Sequence, residues 1–393
     1  MKLTYTTVAD SEFEGLGQNT AHAFATTPER STGWLQKYAE EVRAIRKNGV
    51  VAGSLLRVPM GQFFGGASVP MCGIAGVVMH GAERGQGLAT HMMSAAVREM
   101  RRDGFALSAL FASTAKLYRR SGWESAGVLC ETTLPTRELP RNTTMPARAV
   151  EATDEVAIRK LYRSFASKRD GHLDRGPYIW PRTRQEVEGR PVYGMLIGAE
   201  GRPEGYLFYR LQPRTAPPGY EVVVTDYAFT SAAAAARLLG LLAEHRTLST
   251  TIRTVIPLDS PLLSLLPGHH FQTEVKEAWM LRVLDVVSAI EQRGYPKSLV
   301  ARFTIKIRDE VVRANHRCFS VVITNGSATV RKGTPRQTKQ PQLTMDVGTF
   351  ASVYSGHQNP VTLGTVGKIA GSTAALEKLA FAFHGTPRLV DFF

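Results

Sequence analysis

The chain has 393 residues, 48 Lys and Arg against 34 Asp and Glu, and a formal net charge of +14. This length is enough for two or three domains, and a hydrophobic content of 43% is ordinary for a globular protein. The longest apolar stretches are shorter than a membrane span, and the segment 1–5 begins no long apolar signal region. We therefore expect no membrane contact, and the excess of positive charge favours anionic ligands or partners.

The cysteines and histidines indicate the compartment and argue against a metal centre. Cys72, Cys130 and Cys318 are far apart and lack the paired spacing of a zinc site or a disulfide framework. The ten histidines are scattered, and only His269 and His270 are adjacent. Because neighbours in sequence do not face one metal from a helix or a strand, that pair predicts a loop. We predict a reduced, cytoplasmic protein without a metal cofactor.

The first predicted unit covers residues 1–132. Its predicted elements in chain order are a helical region around 13–24, a helix or loop-helix over 33–47, a strand beginning at 49–56, a strand near 71–79, a long helix from 88 that ends at Asp103-Gly104, and a strand over 107–111. In the long helix, Leu88, Met92, Met93, Ala96, Val97 and Met100 fall at helical spacing and predict one buried face.

The loop before that helix is the most informative segment of the chain. It reads Arg84-Gly85-Gln86-Gly87-Leu88-Ala89, between a β-branched strand end and the amphipathic helix. Its glycines let backbone N–H groups approach an anion, and the helix adds the positive end of its dipole. The pattern therefore predicts a cradle for a pyrophosphate group.

Two other phosphate motifs are excluded at this loop. A Walker loop requires Lys and Ser or Thr after its last glycine, whereas Gly87 is followed by Leu88 and Ala89. A Rossmann fingerprint requires a third glycine where this chain has Thr90. A glycine turn that merely caps an ordinary helix remains as the alternative.

The second predicted unit covers residues 147–276, after a linker punctuated by Pro135, Pro140 and Pro146. Its predicted elements are a helix from 153, strands over 192–198, 205–212 and 221–228, a helix over 232–244 and a strand over 251–256. The order strand, helix, strand repeats that of the first unit, but the connection at 229–232 has no glycine cradle and no arginine. We predict an internal duplication whose second copy does not hold the same cofactor.

The third predicted unit covers residues 278–393. Strands are predicted over 280–284, 301–307, 317–324 and 328–331, and helices over 348–354 and 372–384. The dipeptide Asn325-Gly326 between two of these strands is typical of a β-hairpin turn. A sheet followed by helices predicts an α+β domain.

These residues resemble a known family. Arg84-x-x-Gly87-x-Ala89 resembles the acetyl-CoA loop of the GCN5-related N-acetyltransferases (GNATs). The three units in this order resemble the enhanced-intracellular-survival (Eis) acetyltransferases over essentially the whole chain, and the strings 117–123, 255–259 and 370–372 add to the match. The resemblance implies a mixed α+β and α/β fold, with an active GNAT domain, a degenerate GNAT copy and a domain like sterol carrier protein.

The resemblance also implies a function. It predicts a homo-hexameric, acetyl-CoA-dependent N-acetyltransferase that transfers an acetyl group directly to a primary amine, of the aminoglycoside or the lysine type, on a small molecule or a peptide. Residues 20–47, which would line the acceptor pocket, contain more basic than acidic side chains. This excess weakens the inference to polycationic aminoglycosides. The alternatives are a hydrophobic-ligand carrier, suggested by the third unit, and a nucleic-acid-binding regulator, suggested by charge alone. The chain shows no recognised nucleic-acid module, so we do not expect nucleic acid as a partner.

Site residues follow from the resemblance. It assigns the pyrophosphate to Arg84, Gly85, Gln86, Gly87, Leu88 and Ala89, and the pantetheine arm to backbone groups of Val77, Val78 and Met79. The N–H of Val78 would face the thioester oxygen. This requires a strand splayed from its neighbour at 77–79, and a fully paired core strand is the alternative.

Acid, base and acceptor sites are also implied. Tyr118 would be the general acid, with a tyrosine packed beside Trp123 as the alternative. The carboxylate of Phe393 would be the base, a weak one with a reference pKa of about 3.5 unless it is desolvated; the alternative is a terminal Phe packed on the third unit. Phe24 and Trp34 are candidate aromatic walls of the acceptor pocket, although Phe24 also fits a core, and Asp391 would attract a cationic amine.

Overall fold

The computed structural model describes residues 2–215, 219–333 and 342–393, so Met1, where the first predicted unit begins, lies outside these ranges. Contacts divide the chain into two compact units. Unit 1 comprises the chain up to Gly127, Trp279–Pro387 and Phe393. Unit 2 comprises Val128–Ala278 and Arg388–Phe392.

The strands of the described chain are β1 (Leu3–Thr7), β2 (Val42–Lys47), β3 (Val50–Phe64), β4 (Ala67–Met79), β5 (Leu107–Phe111), β6 (Glu124–Pro135), β7 (Ala147–Ala149), β8 (Leu173–Asp174), β9 (Tyr193–Ala199), β10 (Arg202–Arg214), β11 (Gly219–Phe229), β12 (Thr251–Thr254), β13 (Gln272–Val283), β14 (Ala301–Arg308), β15 (Cys318–Thr324), β16 (Ser327–Gly333) and β17 (Gln342–Asp346).

The α-helices of the described chain are α1 (Phe13–Phe24), α2 (Pro28–Lys37), α3 (Leu88–Arg102), α4 (Ala115–Arg119), α5 (Glu155–Ala166), α6 (Ile179–Arg182), α7 (Ala232–Ala243), α8 (Val286–Gln292), α9 (Val347–Ser355), α10 (Pro360–Thr365) and α11 (Thr373–Ala382).

Paired strands form the centre of the N-terminal part of unit 1, in the order β1-β2-β3-β4-β5-β13. The pairs from β1 to β4 are antiparallel, β4–β5 is parallel, and β5–β13 is antiparallel. Helix α3 covers one face, and the six residues predicted from helical spacing to be buried are all at most 1% exposed. That prediction is confirmed.

Two predicted elements of unit 1 are corrected. Residues 42–47, expected to continue a helical segment, form β2, because they pair with β1 on one side and with β3 on the other. The strand expected at 280–284 to open the third unit instead pairs Trp279–Val283 with β5. Long-range pairing decided both cases, and a local pattern does not contain that information.

The C-terminal part of unit 1 contains a second sheet with strand order β16-β15-β14-β17. Asn325 and Gly326 both have positive φ (52° and 79°), as a tight hairpin turn requires, so the predicted turn is confirmed. Strand β17 and helices α8 and α10 were not predicted. The guanidinium of Arg293 is enclosed in this region by the rings of Phe64, Tyr295, Tyr354 and Phe383, at 4.9–5.6 Å from their centroids.

The strands of unit 2 pair in the order β6-β12-β11-β10-β9-β7. Strands β11 and β12 are parallel and are joined through α7, so the predicted repeat of strand, helix and strand is confirmed. Helix α7 is buried along most of its length and packs in the core with Leu207, Val222 and Ile252. No helix of the described chain is both long and apolar enough to cross a membrane.

Candidate active site

The predicted anion loop, residues 84–89, comprises the end of the connection 80–87 between β4 and α3 and the first two residues of α3. Gly85 and Gly87 have φ of +78° and +79°, a region that side chains other than glycine rarely adopt. Gly87 is the N-cap of α3 and has no side chain that could accept a hydrogen bond from the first turn of this helix. A Cβ added at either glycine would meet nothing within 4 Å, so an anion has open space above these backbone groups.

The other loop residues play unequal parts. The Gln86 amide donates to the Ala82 carbonyl (3.1 Å) and accepts from the Lys47 ammonium (2.8 Å), which also pairs with Glu83 (2.8 Å). These contacts hold the loop in shape and place a cation, Lys47, beside it. The Leu88 side chain is buried in the core, so only its backbone is available to a ligand, whereas the Arg84 side chain is exposed.

A β-bulge distorts β4 just before the loop. Ser54 pairs with Val78 and Leu56 with Ala75, so Gly76 and Val77 stand opposite a single residue of β3. Gly76 has φ of +55°, and a Cβ there would lie 2.5 Å from Cη2 of Trp34. The Trp34 ring therefore packs directly on the bulge, and only glycine fits beneath it.

Strands β4 and β5 separate beside this bulge. Their parallel pairing joins Met71–Gly73 to Leu107–Ala109 and extends no further along the described strands, although β4 continues to Met79 and β5 to Phe111. Residues 77–79 therefore do not pair with β5. The alternative, in which this strand end is fully paired, does not hold on the side of β4 that faces β5. An opening between two strands gives an extended ligand backbone groups to pair with.

The Phe393 ring lies where the two strands separate. A Cβ on Gly73, the last paired residue of β4, would be 2.5 Å from Cε2 of Phe393. The Phe393 ring also makes an edge contact with Phe111 at the end of β5, with centroids 5.6 Å apart. The residue is 6% exposed, so this end of the described chain is buried rather than frayed.

Tyr118 lies on α4, in the turn that follows β5. It is 5% exposed, packs edge-to-face on Trp123 (centroids 6.4 Å apart), and shares a core cluster with Ile74 and Leu110. Burial raises the pKa of Tyr118, and a hydrogen bond with Ser113 offsets part of that increase. The phenol is therefore protonated at neutral pH, as a proton donor must be.

The turn that carries Tyr118 is anchored by a buried ion pair. Nε of Arg282 donates to the Ser121 carbonyl (2.9 Å), and its terminal nitrogen donates to both carboxylate oxygens of Asp309 (2.7 and 2.8 Å). The side chains of Arg282 and Asp309 are 0% and 1% exposed. Gly122, which follows Ser121, has φ of +88°, and a Cβ there would be 2.9 Å from Nε of Arg282.

The predicted acceptor-site residues lie in different environments. Phe24 is 55% exposed at the end of α1, so its alternative role in a hydrophobic core is excluded. Trp34 is half-buried on the bulge described above. Asp391 is buried in unit 2, where it accepts hydrogen bonds from Arg175 and Tyr162.

Sequence reasoning overlooked several residues that shape this region. Gly73, Phe111 and Lys47 carry no motif, and their placement depends on strand register or on the fold of the loop. Gly76 was visible as a glycine in a strand end, which is a known signal for a bulge. Arg175 gave no signal, because its partners Asp226 and Asp391 are 51 and 216 residues away.

Unit 2 repeats the strand, helix and strand without the loop. Only Thr230 and Ser231 connect β11 to α7, and the Ser231 hydroxyl accepts a hydrogen bond from the Ala234 N–H (3.2 Å). The helix N-terminus that would face an anion is therefore capped by the chain itself. Within the described ranges, no group of three or more His, Cys, Asp or Glu side chains is arranged to hold a metal ion.

Family models match three parts of the chain. Residues 4–126 match a model described as an acetyltransferase (GNAT) domain, and residues 171–283 match a second model with the same description. Residues 286–390 match a sterol carrier protein domain. The boundaries predicted above, 1–132, 147–276 and 278–393, stay predictions.

Known proteins match over most of the chain. An uncharacterized N-acetyltransferase of Streptomyces griseus is 26% identical over 346 residues, covering 82% of this chain and 81% of that protein. The N-acetyltransferase Eis of Mycobacterium tuberculosis is 23% identical over 407 aligned positions, covering 98% of this chain and 97% of that protein. The crystal structure of a GCN5-related N-acetyltransferase from Anabaena variabilis is 29% identical, covers 100% of both chains and has a TM-score of 0.94.

These matches agree with the geometry of unit 1, where a glycine loop, a bulge and a strand opening adjoin. GNAT acetyltransferases use acetyl-CoA, and the open loop of this chain fits its pyrophosphate. With two GNAT domains followed by a sterol carrier protein domain, the chain is an acetyltransferase, and it is similar to the N-acetyltransferase Eis along nearly its whole length.

Proposed function

We propose that this acetyltransferase transfers the acetyl group of acetyl-CoA directly to a primary amine of a small molecule or a peptide. The observation that carries the proposal is the separation of β4 from β5, with the anion loop at the end of β4 and the Phe393 ring where the strands part. Acetyl-CoA supplies the acetyl group as a thioester. The chain supplies binding groups, a proton donor and a proton acceptor.

The binding groups come from the loop and from the strand end before it. Backbone N–H groups of Gly85, Gly87 and Ala89, with the exposed Arg84 side chain, would hold the pyrophosphate. The backbone of 77–79 would pair with the pantetheine arm, and the N–H of Val78 would donate to the thioester oxygen. One such donor is worth about 2.7–4 kcal/mol where it has been removed from other enzymes.

Tyr118 would give a proton to the departing sulfur. Its raised pKa keeps the phenol protonated until that step, and water restores the proton afterwards. The Arg282–Asp309 pair, which fixes the Ser121 carbonyl, would keep the Tyr118 turn in place.

Phe393 would accept the proton of the attacking amine through its carboxylate, in a chain that ends there. Its ring, wedged against Gly73 and Phe111, would fix the direction of the carboxylate beside the strand opening. A base held by packing needs no further ordering during the reaction.

The chemistry of the cysteines supports direct transfer over an acetyl-cysteine intermediate. Cys72, on β4, is fully buried, and that burial raises the pKa of its thiol to about 12. Burial also raises the pKa of Cys130. A protonated thiol is a poor nucleophile, so a ternary complex is the better-supported route.

Phe24 and Trp34 remain the proposed acceptor-site residues, whereas Asp391, predicted together with them, is buried against Arg175 and is not proposed to contact the amine. Exposed Phe24 is available to a ligand, and Trp34 stands on the bulge. The net charge of +14 favours a monoamine or a peptide amine over a polycationic drug. A homo-hexamer stays part of the proposal on the family resemblance alone. A cytoplasmic location stays part of it on the widely separated cysteines, and the lack of a nucleic-acid partner on the lack of a recognised nucleic-acid module.

The carrier alternative finds less support. In the part of unit 1 that matches the sterol carrier domain, the buried Arg293 lies among four aromatic rings and donates to the Tyr354 carbonyl. A buried guanidinium is a poor neighbour for a sterol or an acyl chain.

The test is thiol release from acetyl-CoA with a panel of aminoglycosides, polyamines, lysine peptides and aryl amines. Substitution Tyr118→Phe should lower kcat by about 100-fold or more, because general acid catalysis contributes about 10²–10⁴. Extending the chain by a few residues after Phe393 should lower kcat by a similar factor. Full activity of folded Tyr118→Phe would refute the acid, and full activity of the extended chain would refute the base.

A further inference from the structure

Strands β11 and β12 of unit 2 also separate, but the C-terminal segment lies at their opening. Their parallel pairing joins Val222–Val223 to Ile252–Arg253. Beyond these pairs a pocket is lined by residues 224–227, by Thr254 and Val255, and by Val390 and Asp391 of the C-terminal segment. This opening corresponds in order and topology to the one in unit 1 that we assign to the pantetheine arm.

A buried arginine joins the segment to this opening. Nε and one terminal nitrogen of Arg175 donate to both carboxylate oxygens of Asp391 (2.7–3.1 Å). The terminal nitrogens also donate to Asp226 on β11 (2.7 and 2.9 Å). The side chains of the three residues are 2%, 7% and 4% exposed. Bidentate arginine pairs of this kind fix geometry as well as contributing energy.

Tyrosines complete the hydrogen bonding of the two carboxylates. The Tyr162 hydroxyl lies 2.8 Å from the Leu173 carbonyl and 3.3 Å from Asp391, and the Tyr206 hydroxyl donates to Asp226 (2.9 Å). One arginine faces two carboxylates, so Asp226 can pair with Arg175 even when Asp391 is absent. The loss of Asp391 would therefore leave a neutral pair behind.

Backbone contacts hold the segment at a second point. The Arg388 N–H donates to the Asp170 carbonyl (2.7 Å), and neighbouring Gly171 has φ of +87°. A Cβ on Gly171 would be 2.7 Å from the Arg388 nitrogen, so the close approach requires glycine. Leu389 is 1% exposed. The outer pair between Arg388 and Asp259 is more exposed than these contacts.

We propose that the cleft of the second GNAT copy is a socket for the C-terminal segment, and that Arg175 and Asp391 are positioning residues for Phe393. Only Phe392 separates Asp391 from Phe393, so a fixed Asp391 limits where Phe393 can lie. The inference rests on the proposed role of Phe393 as the base. In this proposal the second GNAT copy contributes to catalysis by holding the C-terminal segment, although it binds no cosubstrate itself.

The experiment compares three variants in a chain that ends at Phe393. Asp391→Ala removes the ion pair between Asp391 and Arg175 and leaves the Arg175–Asp226 pair intact. Asp391→Asn retains the shape of the side chain with a weaker, neutral acceptor. Asp259→Ala is the matched control, because it removes a half-exposed ion pair of the same segment, which should contribute little.

The first readout is independent of activity. Carboxypeptidase A removes C-terminal aromatic residues, and mass spectrometry measures the release of Phe393. We expect release to be at least about tenfold faster in Asp391→Ala, intermediate in Asp391→Asn and unchanged in Asp259→Ala, since a site opens to a protease in proportion to its unfolded population.

The second readout separates kcat from KM. Asp391→Ala should lower kcat about tenfold or more without changing KM for acetyl-CoA, because the base is displaced while the cosubstrate loop is intact. Asp391→Asn should retain part of the activity.

The outcomes distinguish the socket from the proposed function. Unchanged Phe393 release in folded Asp391→Ala would overturn the socket, whatever the activity. A higher amine KM with unchanged release would also overturn it, because Asp391 would then act on the amine directly. If the unsubstituted chain acetylates no amine, the proposed function fails, whereas the release assay still decides whether the segment is held.

Discussion

The two GNAT copies place the same strand, helix and strand around different connections. In unit 1 the connection is residues 80–87, with two glycines at positive φ and an uncapped helix N-terminus. In unit 2 it is Thr230 and Ser231, and Ser231 caps the helix. The parallel sheet is therefore not what distinguishes a cosubstrate site from its degenerate copy. The two copies differ instead in the length of one connection and in whether the helix after it is capped.

Both copies have a strand opening, and each opening has different contents. In unit 1 the Phe393 ring lies where β4 and β5 part, beside the bulge at Gly76. In unit 2 the opening contains Val390, Asp391 and the buried Arg175. A duplicated cleft that no longer needs a cosubstrate can bind a segment of its own chain instead.

The first prediction, with the largest expected effect, concerns the turn after the second strand of the parallel pair. In unit 1 this turn carries Tyr118 and is tied to Arg282 and Asp309, both fully buried. We expect Arg282→Met to lower the free energy of unfolding by about 3–5 kcal/mol, because it leaves a buried carboxylate without its cation. Urea titration followed by circular dichroism would measure this change.

Arg253→Met is the control in unit 2. Its ion pair with Glu221 is 29% and 23% exposed, so the loss should stay below about 1 kcal/mol. Equal effects of the two substitutions would contradict a special role for the buried pair.

The connections themselves give the second prediction. Gly87→Val introduces a β-branched residue at φ of +79°, which strains the backbone by about 1–3 kcal/mol and covers the anion site. We expect kcat/KM for acetyl-CoA to fall at least about 100-fold, equivalent to about 2.7 kcal/mol. Thiol release at varied acetyl-CoA concentration would measure it.

The corresponding change in unit 2 should leave the affinity for acetyl-CoA unchanged. Ser231→Gly removes the cap of α7 at a cost of a few tenths of a kcal/mol and does not lengthen the connection. A gain or loss of acetyl-CoA affinity in Ser231→Gly, or normal kinetics in Gly87→Val, would break the comparison between the copies.

The third prediction concerns pH and the unit 2 opening, where His172 lines the pocket. Burial, with the positive charges of Arg169 and Arg175, lowers the pKa of His172 to about 3. Below about pH 6.5 the unfolded chain binds a proton at this histidine and the folded chain does not, down to about pH 3. Stability should therefore fall with decreasing pH in this window, by up to about 1.4 kcal/mol per pH unit.

Unfolding midpoints measured between about pH 7 and pH 5 would test this. His172→Gln should flatten the pH dependence, whereas substitution of the exposed His269 by Gln should leave it unchanged. An unchanged slope in His172→Gln would show that other groups dominate the acid sensitivity of the protein.

Several features of the fold and the site could be predicted because their signals are local. The helical spacing from Leu88 to Met100 predicted a buried face, and the Asn325-Gly326 pair predicted a hairpin turn. Gly85 and Gly87 predicted a loop of unusual backbone conformation. Each signal needs only residues that lie close together along the chain.

Other features could not be predicted, because they depend on which strands pair. Residues 42–47 became a strand through β1 and β3, and the bulge at Gly76 exists only relative to the register of β3. Arg175 and Asp391 are 216 residues apart, so no window along the chain contains both.

The sequence by itself therefore determined the cosubstrate loop, the order of the units and the absence of such a loop from the second copy. The tertiary structure decided where β4 leaves β5, what lies in each opening and which buried charges meet. The physical reason is that backbone conformation and helical periodicity are set by neighbouring residues, whereas strand register and buried ion pairs arise only when distant segments pack together.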